Sequence, residues 1–251
     1  KNEEKILEIP INTNALKECH IIIMAGGKGT RLYPYTRVLP KPLIPIGDIP
    51  ILERIMEKFY LYGADTFYLT VNYKKEMIKA YFTDRNPMYQ ILYVEEELPL
   101  GTAGGISRIK HELFQTVIVT NCDIIIEADY SDIINFHKRS KNGMTIVSAL
   151  KNISIPYGVL RPQKEGLVTA IEEKPQISHF VNTGMYVVAP EFLDWIPENK
   201  VFHMTDLAEM MINKGIRVGM YPISENSFLD MGQFEEMKKM EEWINRGKVN
   251  Y

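Results

Sequence analysis

Ile21-Ile22-Ile23-Met24 is a continuous apolar run that passes without a break into Ala25-Gly26-Gly27-Lys28-Gly29-Thr30-Arg31. A strand whose successive side chains are all apolar is buried on both faces, as happens at the centre of a parallel sheet covered by helices. A glycine-rich loop directly after such a strand lets backbone N–H groups approach phosphate oxygens without interference from Cβ atoms. These two features together predict an α/β protein with a ligand site at the carboxyl edge of its sheet.

The rest of the pattern agrees. Pro34, Pro40, Pro42, Pro45 and Pro50 predict an extended, loop-like stretch after the glycine loop. Ile51, Leu52, Ile55, Met56 and Phe59 then recur at helical spacing, and Gly63 supplies a stop. Strands are predicted at Phe67 to Val71, Gln90 to Val94, Val117 to Thr120 and Met144 to Leu150. Helices are predicted at Lys74 to Phe82, near Gly105 to His111, and at Asp132 to Arg139. Alternation of this kind gives a mostly parallel sheet with helices on both sides. The second half is richer in strands, with Gly158 to Arg161, Val168 to Glu172 and Met185 to Val188, and closes with helices at Leu207 to Lys214 and Phe234 to Arg246. Residues 1–18 are polar and weakly patterned and read as a lead-in or linker, leaving 19–251 as a single domain.

Composition narrows the partners. The net charge of -3 over 251 residues gives no general attraction to nucleic acid or to an anionic membrane, so positive charge for phosphate must be gathered locally. No apolar stretch is long enough to span a bilayer, and the charged start is unlike a signal peptide. Cys19 and Cys122 share no metal-ligand spacing and read as free thiols in a reducing, cytoplasmic setting.

Two familiar phosphate loops fail at this position. A Walker A loop needs Ser or Thr after its Lys, and Lys28 is followed by Gly29; the dinucleotide fingerprint needs a third glycine where Leu32 stands, and a helix where the prolines follow. What remains is Gly-Gly-x-Gly-Thr-Arg-Leu followed by Pro40-Lys41-Pro42. Arg31 offers a planar fork of donors and Lys41 a point charge, a pair suited to a triphosphate.

This constellation resembles the sugar nucleotidyltransferase family, whose signature is a glycine-rich loop ending in Thr-Arg-Leu and a following Pro-Lys-Pro. The resemblance runs from about His20 to Arg246. It implies a Rossmann-like fold with a mixed sheet, and transfer of a nucleoside monophosphate from an NTP to a sugar 1-phosphate with release of pyrophosphate. It makes Arg31 and Lys41 the catalytic cations, and Ala25, Gly26, Gly27, Gly29 and Thr30 the phosphate loop. Leu100-Gly101-Thr102-Ala103-Gly104 resembles the family's loop for base and sugar, with Gly101 against the nucleobase and Thr102 beside it. Bringing two polyanions together calls for Mg2+, and the resemblance makes Asp123 and Asp230 its ligands; each also suits a strand end or a helix cap. Glu173 and Lys174, with Gly158, Asn182 and Gly184, match the family's sugar-phosphate site, although a Glu-Glu-Lys run is also a common surface cluster and Asn182 suits a turn equally well.

Thymidylyl-transferring relatives commonly carry Gln where this chain has Glu96. A carboxylate only accepts hydrogen bonds and complements guanine N1–H and N2–H, so the expected NTP is GTP, with Glu96 reading the base. The branch it looks most like is the guanylyltransferases that carry regulatory CBS domains ahead of the transferase, including glucosamine-1-phosphate guanylyltransferases of legionaminic acid synthesis. The polar residues 1–18 and a first residue that is not Met agree with a preceding domain. Homo-oligomerisation is compatible with all of this. Two rivals are a non-catalytic subunit on the same fold, disfavoured by intact Arg31, Lys41, Asp123, Lys174 and Asp230, and a nicotinamide-dependent oxidoreductase, disfavoured by the incomplete fingerprint. His20, His111, His137, His179 and His203 show no ligand spacing. Thr205 or Asp206 is expected to cap a helix.

Overall fold

The run at Ile21–Ile23 lies in the middle of a seven-stranded sheet. The computed structural model describes residues 11–232 and 234–243. Its sheet strands are β1 (Cys19–Met24), β2 (Thr66–Val71), β3 (Gln90–Glu95), β4 (Thr116–Asn121), β5 (Met144–Ser154), β6 (Gln176–Val188) and β7 (Val218–Ile223). In space they lie in the order β7-β5-β6-β4-β1-β2-β3. Pairing is parallel from β4 through β1 and β2 to β3 and again between β5 and β7, while β6 is antiparallel to both β4 and β5. The sheet is mixed, and β6 alone is reversed.

Alternation along each central strand divides the core in two. Ile21, Ile23, Phe67, Leu69, Ile118, Met185 and Val187 face one side; Ile22, Tyr68, Val117, Val119, Tyr186 and Val188 face the other. The first side is covered by α1 (Ile51–Leu61), α2 (Lys75–Arg85), α3 (Tyr130–Arg139) and α5 (Phe234–Trp243). On the second side, α4 (Met204–Asn213) contributes Met204, Leu207, Ala208 and Met211. Both faces are apolar because both are covered. The loops that follow β1, β3 and β4 consequently emerge along one edge.

Several expectations need correction. The proline stretch is not uniformly extended: it holds helical turns at Tyr35–Val38 and Lys41–Leu43, the second with proline in its first turn, where a missing N–H removes no internal bond. The helix expected near Gly105 is two short 3-10 turns, Gly104–Arg108 and Lys110–Glu112, consistent with the poor helix propensity of paired glycines. Leu16, read as part of the lead-in, is fully buried in the core, and its N–H donates to the Tyr62 carbonyl at 2.9 Å. Residues 1–10 of the lead-in and residues 244–246 of the last helix lie outside the described residues. Leu16→Ala is expected to lower unfolding free energy by about 2–4 kcal/mol in urea denaturation, the cost of an unfilled core site.

Candidate active site

The glycine loop is held from below. Ala25 N–H donates to the Thr70 carbonyl at 2.9 Å, which extends the β1–β2 ladder by one residue. That bond uses the Ala25 amide, and Ala25 does not line the cleft above it, unlike Gly26, Gly27, Gly29, Thr30 and Arg31. Gly29 adopts a φ of 63°, and a Cβ there would stand 3.0 Å from both Lys41 Cβ and Thr36 Cγ2. Only glycine meets both conditions without strain. Thr36, fully buried, donates from Oγ1 to the Gly29 carbonyl at 2.9 Å and accepts at its own carbonyl from Tyr73 Oη at 3.1 Å.

Four charged side chains meet beside this loop. Lys41 is buried in its turn between two prolines, and its Nζ pairs with Asp123 Oδ2. Asp123 stands two residues past the end of β4. A short antiparallel ribbon then brings in the second acid: Phe228–Asp230 pairs with Ile124–Ile126, Asp230 opposite Ile124, and Met231 N–H donates to the Asp123 carbonyl at 2.8 Å. Burial is the main force raising the Asp230 carboxyl, the neighbouring Asp123 adds to it, and the Gly232 N–H at 2.7 Å with Lys41 and Arg31 opposes it. Arg31 Nη1 comes within 3.4 Å of a Cβ built on Gly232, so the guanidinium reaches the same spot. The cations Arg31 and Lys41 and the acids Asp123 and Asp230, distant in sequence, therefore form one cluster.

The cluster stands where two clefts join. The larger, about 390 Å³, is lined by the glycine loop, Lys41, Asp123, Glu96, Gly101 and Thr102 among others. The smaller, about 370 Å³, is lined by Asn182, Gly184, Tyr186 and Asp230 among others. Arg31, Asn121 and Asp123 line both.

In the larger cleft, beside the start of the glycine loop, Glu96 is only 6% exposed. One carboxylate oxygen lies 3.1 Å from a Cβ built on Gly26, and the other lies against Gly105. Burial raises its carboxyl above the ordinary range, opposed by a backbone hydrogen bond from Leu100 and the charge of Arg108. Gly101 takes a φ of 80° and passes so close to residue 202 that a Cβ would be 2.6 Å from the Phe202 carbonyl oxygen. The loop is stitched there by Phe202 N–H to Leu100 O, Ala103 N–H to Phe202 O and Met204 N–H to Thr102 Oγ1, at 2.9, 2.9 and 3.0 Å. Asp206 completes the α4 cap by accepting from His203 N–H at 2.7 Å.

Gly158, Glu173 and Lys174 line neither cleft and are exposed. Glu173 Oε2 nevertheless lies 3.0 Å from a Cβ built on Gly158, so those two form a local pair. Asn182 lines the smaller cleft, but its carboxamide serves its own turn, accepting from Gly184 N–H at 3.0 Å and donating to Tyr186 Oη at 2.6 Å. Sequence reasoning missed Asn121. Its carboxamide sits against Gly184 and, among the described residues, makes no hydrogen bond. It precedes Asp123 by two positions, and the period of a strand offers that as the available signal. Cys122 lies between them as a buried free thiol pushed up to about 12 by burial.

Among the described residues no group of three or more His, Cys, Asp or Glu is placed to hold a metal ion, and no helix is long and apolar enough to cross a membrane. The two acids are a partial set that fits a hard divalent cation only when a ligand supplies further oxygens.

The model of the family described as Nucleotidyl transferase matches residues 20–246. The chain belongs to that family. Among relatives of this nucleotidyl transferase, the UTP–glucose-1-phosphate uridylyltransferase of Synechocystis sp. is 29% identical, over 91% of this chain and 60% of its own length. The mannose-1-phosphate guanylyltransferase of Mycobacterium tuberculosis is 31% identical, over 74% of this chain and 53% of its own. The chain thus spans somewhat more than half the length of these curated relatives. The crystal structure of HddC from Yersinia pseudotuberculosis complexed with GMP-PN superposes with a TM-score of 0.67 at 26% identity, over 90% of this chain and 99% of that one.

The raised Asp230 carboxyl has a consequence for the ligand-free protein. Folding disfavours its charge, so Asp230 detracts from stability above its folded pKa, and the penalty fades as pH falls and the group takes up its proton. Asp230→Asn, which keeps an acceptor for Gly232 N–H, is expected to raise Tm at pH 8. The difference from wild type in calorimetry narrows toward acid pH.

Proposed function

We propose that this chain transfers GMP from GTP to the phosphate of a sugar 1-phosphate, giving a GDP-sugar and pyrophosphate. The observation that carries the proposal is the junction of the two clefts at Arg31, Lys41, Asp123 and Asp230: a donor space and an acceptor space with the charged cluster between them. The triphosphate lies along Gly26 to Arg31 in the larger cleft. The sugar occupies the smaller, near Asn182 and Gly184, and its phosphate oxygen attacks the α-phosphorus in line.

A phosphate dianion needs no general base at neutral pH, so catalysis rests on positioning and on charge. Arg31 and Lys41 stabilise the pyrophosphate as it leaves. Mg2+ held by Asp123 and Asp230 together with phosphate oxygens would supply charge neutralisation between the two anions. By the resemblance, Glu173 and Lys174, which line neither cleft, would serve the acceptor side, the carboxylate accepting hydrogen bonds from sugar hydroxyls and the ammonium balancing the phosphate charge.

Guanine is supported by the acceptor-only carboxylate of Glu96 in the wall of the larger cleft. The guanylyltransferase relative and the guanine nucleotide bound by HddC support it too. A uridylyl reading has its own support in the Synechocystis relative, which aligns with more of the chain. An amino sugar such as glucosamine 1-phosphate is the proposed acceptor, on the branch resemblance.

Pyrophosphate release measured with GTP, CTP, UTP and dTTP, Mg2+ and a panel of sugar 1-phosphates tests the reading. GTP is expected to be preferred, and a preference for dTTP or UTP overturns the base assignment. Lys41→Ala is expected to reduce kcat by about 10²–10³ with little change in either KM, the mark of a group acting on developing charge. Glu96→Gln is expected to lower kcat/KM for GTP by about tenfold or more relative to UTP, through loss of a matched acceptor. Because the Glu96 carboxyl is raised, wild-type kcat/KM for GTP is expected to fall with acid at a pH above that of an ordinary glutamate.

A further inference from the structure

Lys58 and Glu127 are charged, mostly buried and outside both clefts. Their side chains are 12% and 24% exposed, and Lys58 Nζ pairs with Glu127 Oε2 at 2.5 Å. The surroundings are aromatic: the ammonium lies 5.9 Å from the centre of the Tyr130 ring, which stacks on Tyr62. Burial holds the Lys58 ammonium below its ordinary range, and Glu127 opposes that shift. Among the described residues the other oxygen, Glu127 Oε1, is buried without a hydrogen-bond partner. A pair placed in this way adds little to stability, because desolvation offsets much of its attraction. What it does fix is the placement of two elements.

Lys58 belongs to α1, the helix that follows the Lys41 turn. The join between turn and helix is tied twice. Ile51 N–H donates to the Ile44 carbonyl at 3.1 Å, and buried Arg54 donates from Nε to the Ile46 carbonyl at 2.7 Å. Glu127 belongs to the ribbon that carries both acids. It directly follows Ile124–Ile126, and its N–H donates to the Ser227 carbonyl at 2.8 Å, which adds a rung to that ribbon. α1 packs against the same strand. Two ion pairs therefore connect the same two parts of the chain, Lys41 with Asp123 at one end and Lys58 with Glu127 at the other. Glu127 lies four residues beyond Asp123, about 13 Å of extended chain. Lys58 lies seven residues beyond Ile51, about 10 Å of helix. One ion pair leaves the strand able to pivot about it, and a second at this separation removes that freedom.

We propose that Lys58 and Glu127 are positioning residues, a clamp remote from substrate that sets how the Lys41 ammonium meets Asp123 and the departing pyrophosphate. The effect on catalysis rests on the transferase reading above; the clamping of the ribbon does not. An apolar pair of similar volume would fill the same space and would be easier to bury. It would also let the strand slide against α1, because apolar contact is non-directional. The bond from Nζ to Oε2 fixes one distance and one direction. Neither residue lines a cleft, so the pair acts through Lys41 and the two acids rather than on the substrate. A misplacement of about 1 Å at a reacting group costs about 10²-fold in rate, so a small movement of the ribbon is enough to register in kcat.

The experiment compares the full chain with Lys58→Met/Glu127→Leu, which removes both charges and keeps the volume, and with Lys58→Arg, which keeps the pair. One readout is hydrogen exchange at the Met231 amide, the donor to the Asp123 carbonyl, with the Ala25 amide in the central sheet as internal reference. The other is pyrophosphate release, resolved into kcat and the two KM values. In the double variant the Met231 amide is expected to exchange about tenfold faster while Ala25 exchanges as in wild type. Its melting temperature is expected to be unchanged or higher. Its kcat is expected to fall by about ten- to a hundredfold with both KM values within about twofold of wild type. Lys58→Arg is expected to match wild type in exchange and in kcat. Wild-type exchange at Met231 in the double variant overturns the clamp, and faster exchange with wild-type kcat overturns its part in catalysis. Equal losses in Lys58→Arg and the double variant assign the effect to packing and overturn the role of the ion pair. A double variant that does not fold makes the pair a requirement of stability and overturns the assignment. Absence of turnover by wild type with every NTP and sugar phosphate counts against the transferase reading and leaves the Met231 exchange to decide the clamp.

Discussion

Two carboxylates and one ammonium, gathered in a partly buried corner, set the terms for the rest of this structure. Asp123 has Lys41 as its counter-ion, while Asp230 is raised by burial and by its acidic neighbour. Side chains alone do not choose such an arrangement, because desolvation and like-charge repulsion both oppose it. It is imposed by backbone. The ribbon pairing of Phe228–Asp230 with Ile124–Ile126, and the bond from Met231 to Asp123, fix both acids regardless of their repulsion. The two-sided apolar core anchors that backbone in turn. Charge strain is held in place by packing elsewhere, a common relation between stability and function.

The same economy appears in the loops. The glycine loop gives up one amide to the sheet at Ala25 and is fastened by Thr36 at Gly29, leaving the stretch between to face the cleft. The loop at Gly101 is sewn to the residues entering α4, so its shape depends on an element about a hundred residues farther along the chain. Both are rigid on the buried side and open on the other, which is what preorganised binding requires.

How much of this is legible in the sequence depends on whether a residue's role has a local signature. β1 and its loop are readable because a doubly buried strand must be apolar throughout. Arg31, Lys41, Asp123 and Asp230 are readable as a set by resemblance, and the fold brings them together. Ala25 shares the loop's sequence signature, and its amide is used by the sheet. Leu16 reads as linker because one leucine within Asn12 to Glu18 carries no period. The outer part of β6 is not legible, because Gln176 to Phe180 pair without being buried, so the burial pattern that marks a strand is missing there. Asn121 and Thr36 act through contacts with residues far along the chain, which spacing does not encode.

The reversal of β6 has an outcome for how such a molecule can vary. Two parallel strands are joined by a crossover that must return to the opposite edge, so added length there disturbs the layer of helices. An antiparallel pair is joined at a hairpin, which can grow outward indefinitely from the edge where it turns. Because β6 opposes β5, that turn projects from the same rim as the glycine loop. The rim beside the clefts can thus be altered by lengthening, shortening or redecorating one excursion, with the glycine loop and the sheet beneath it left as they were.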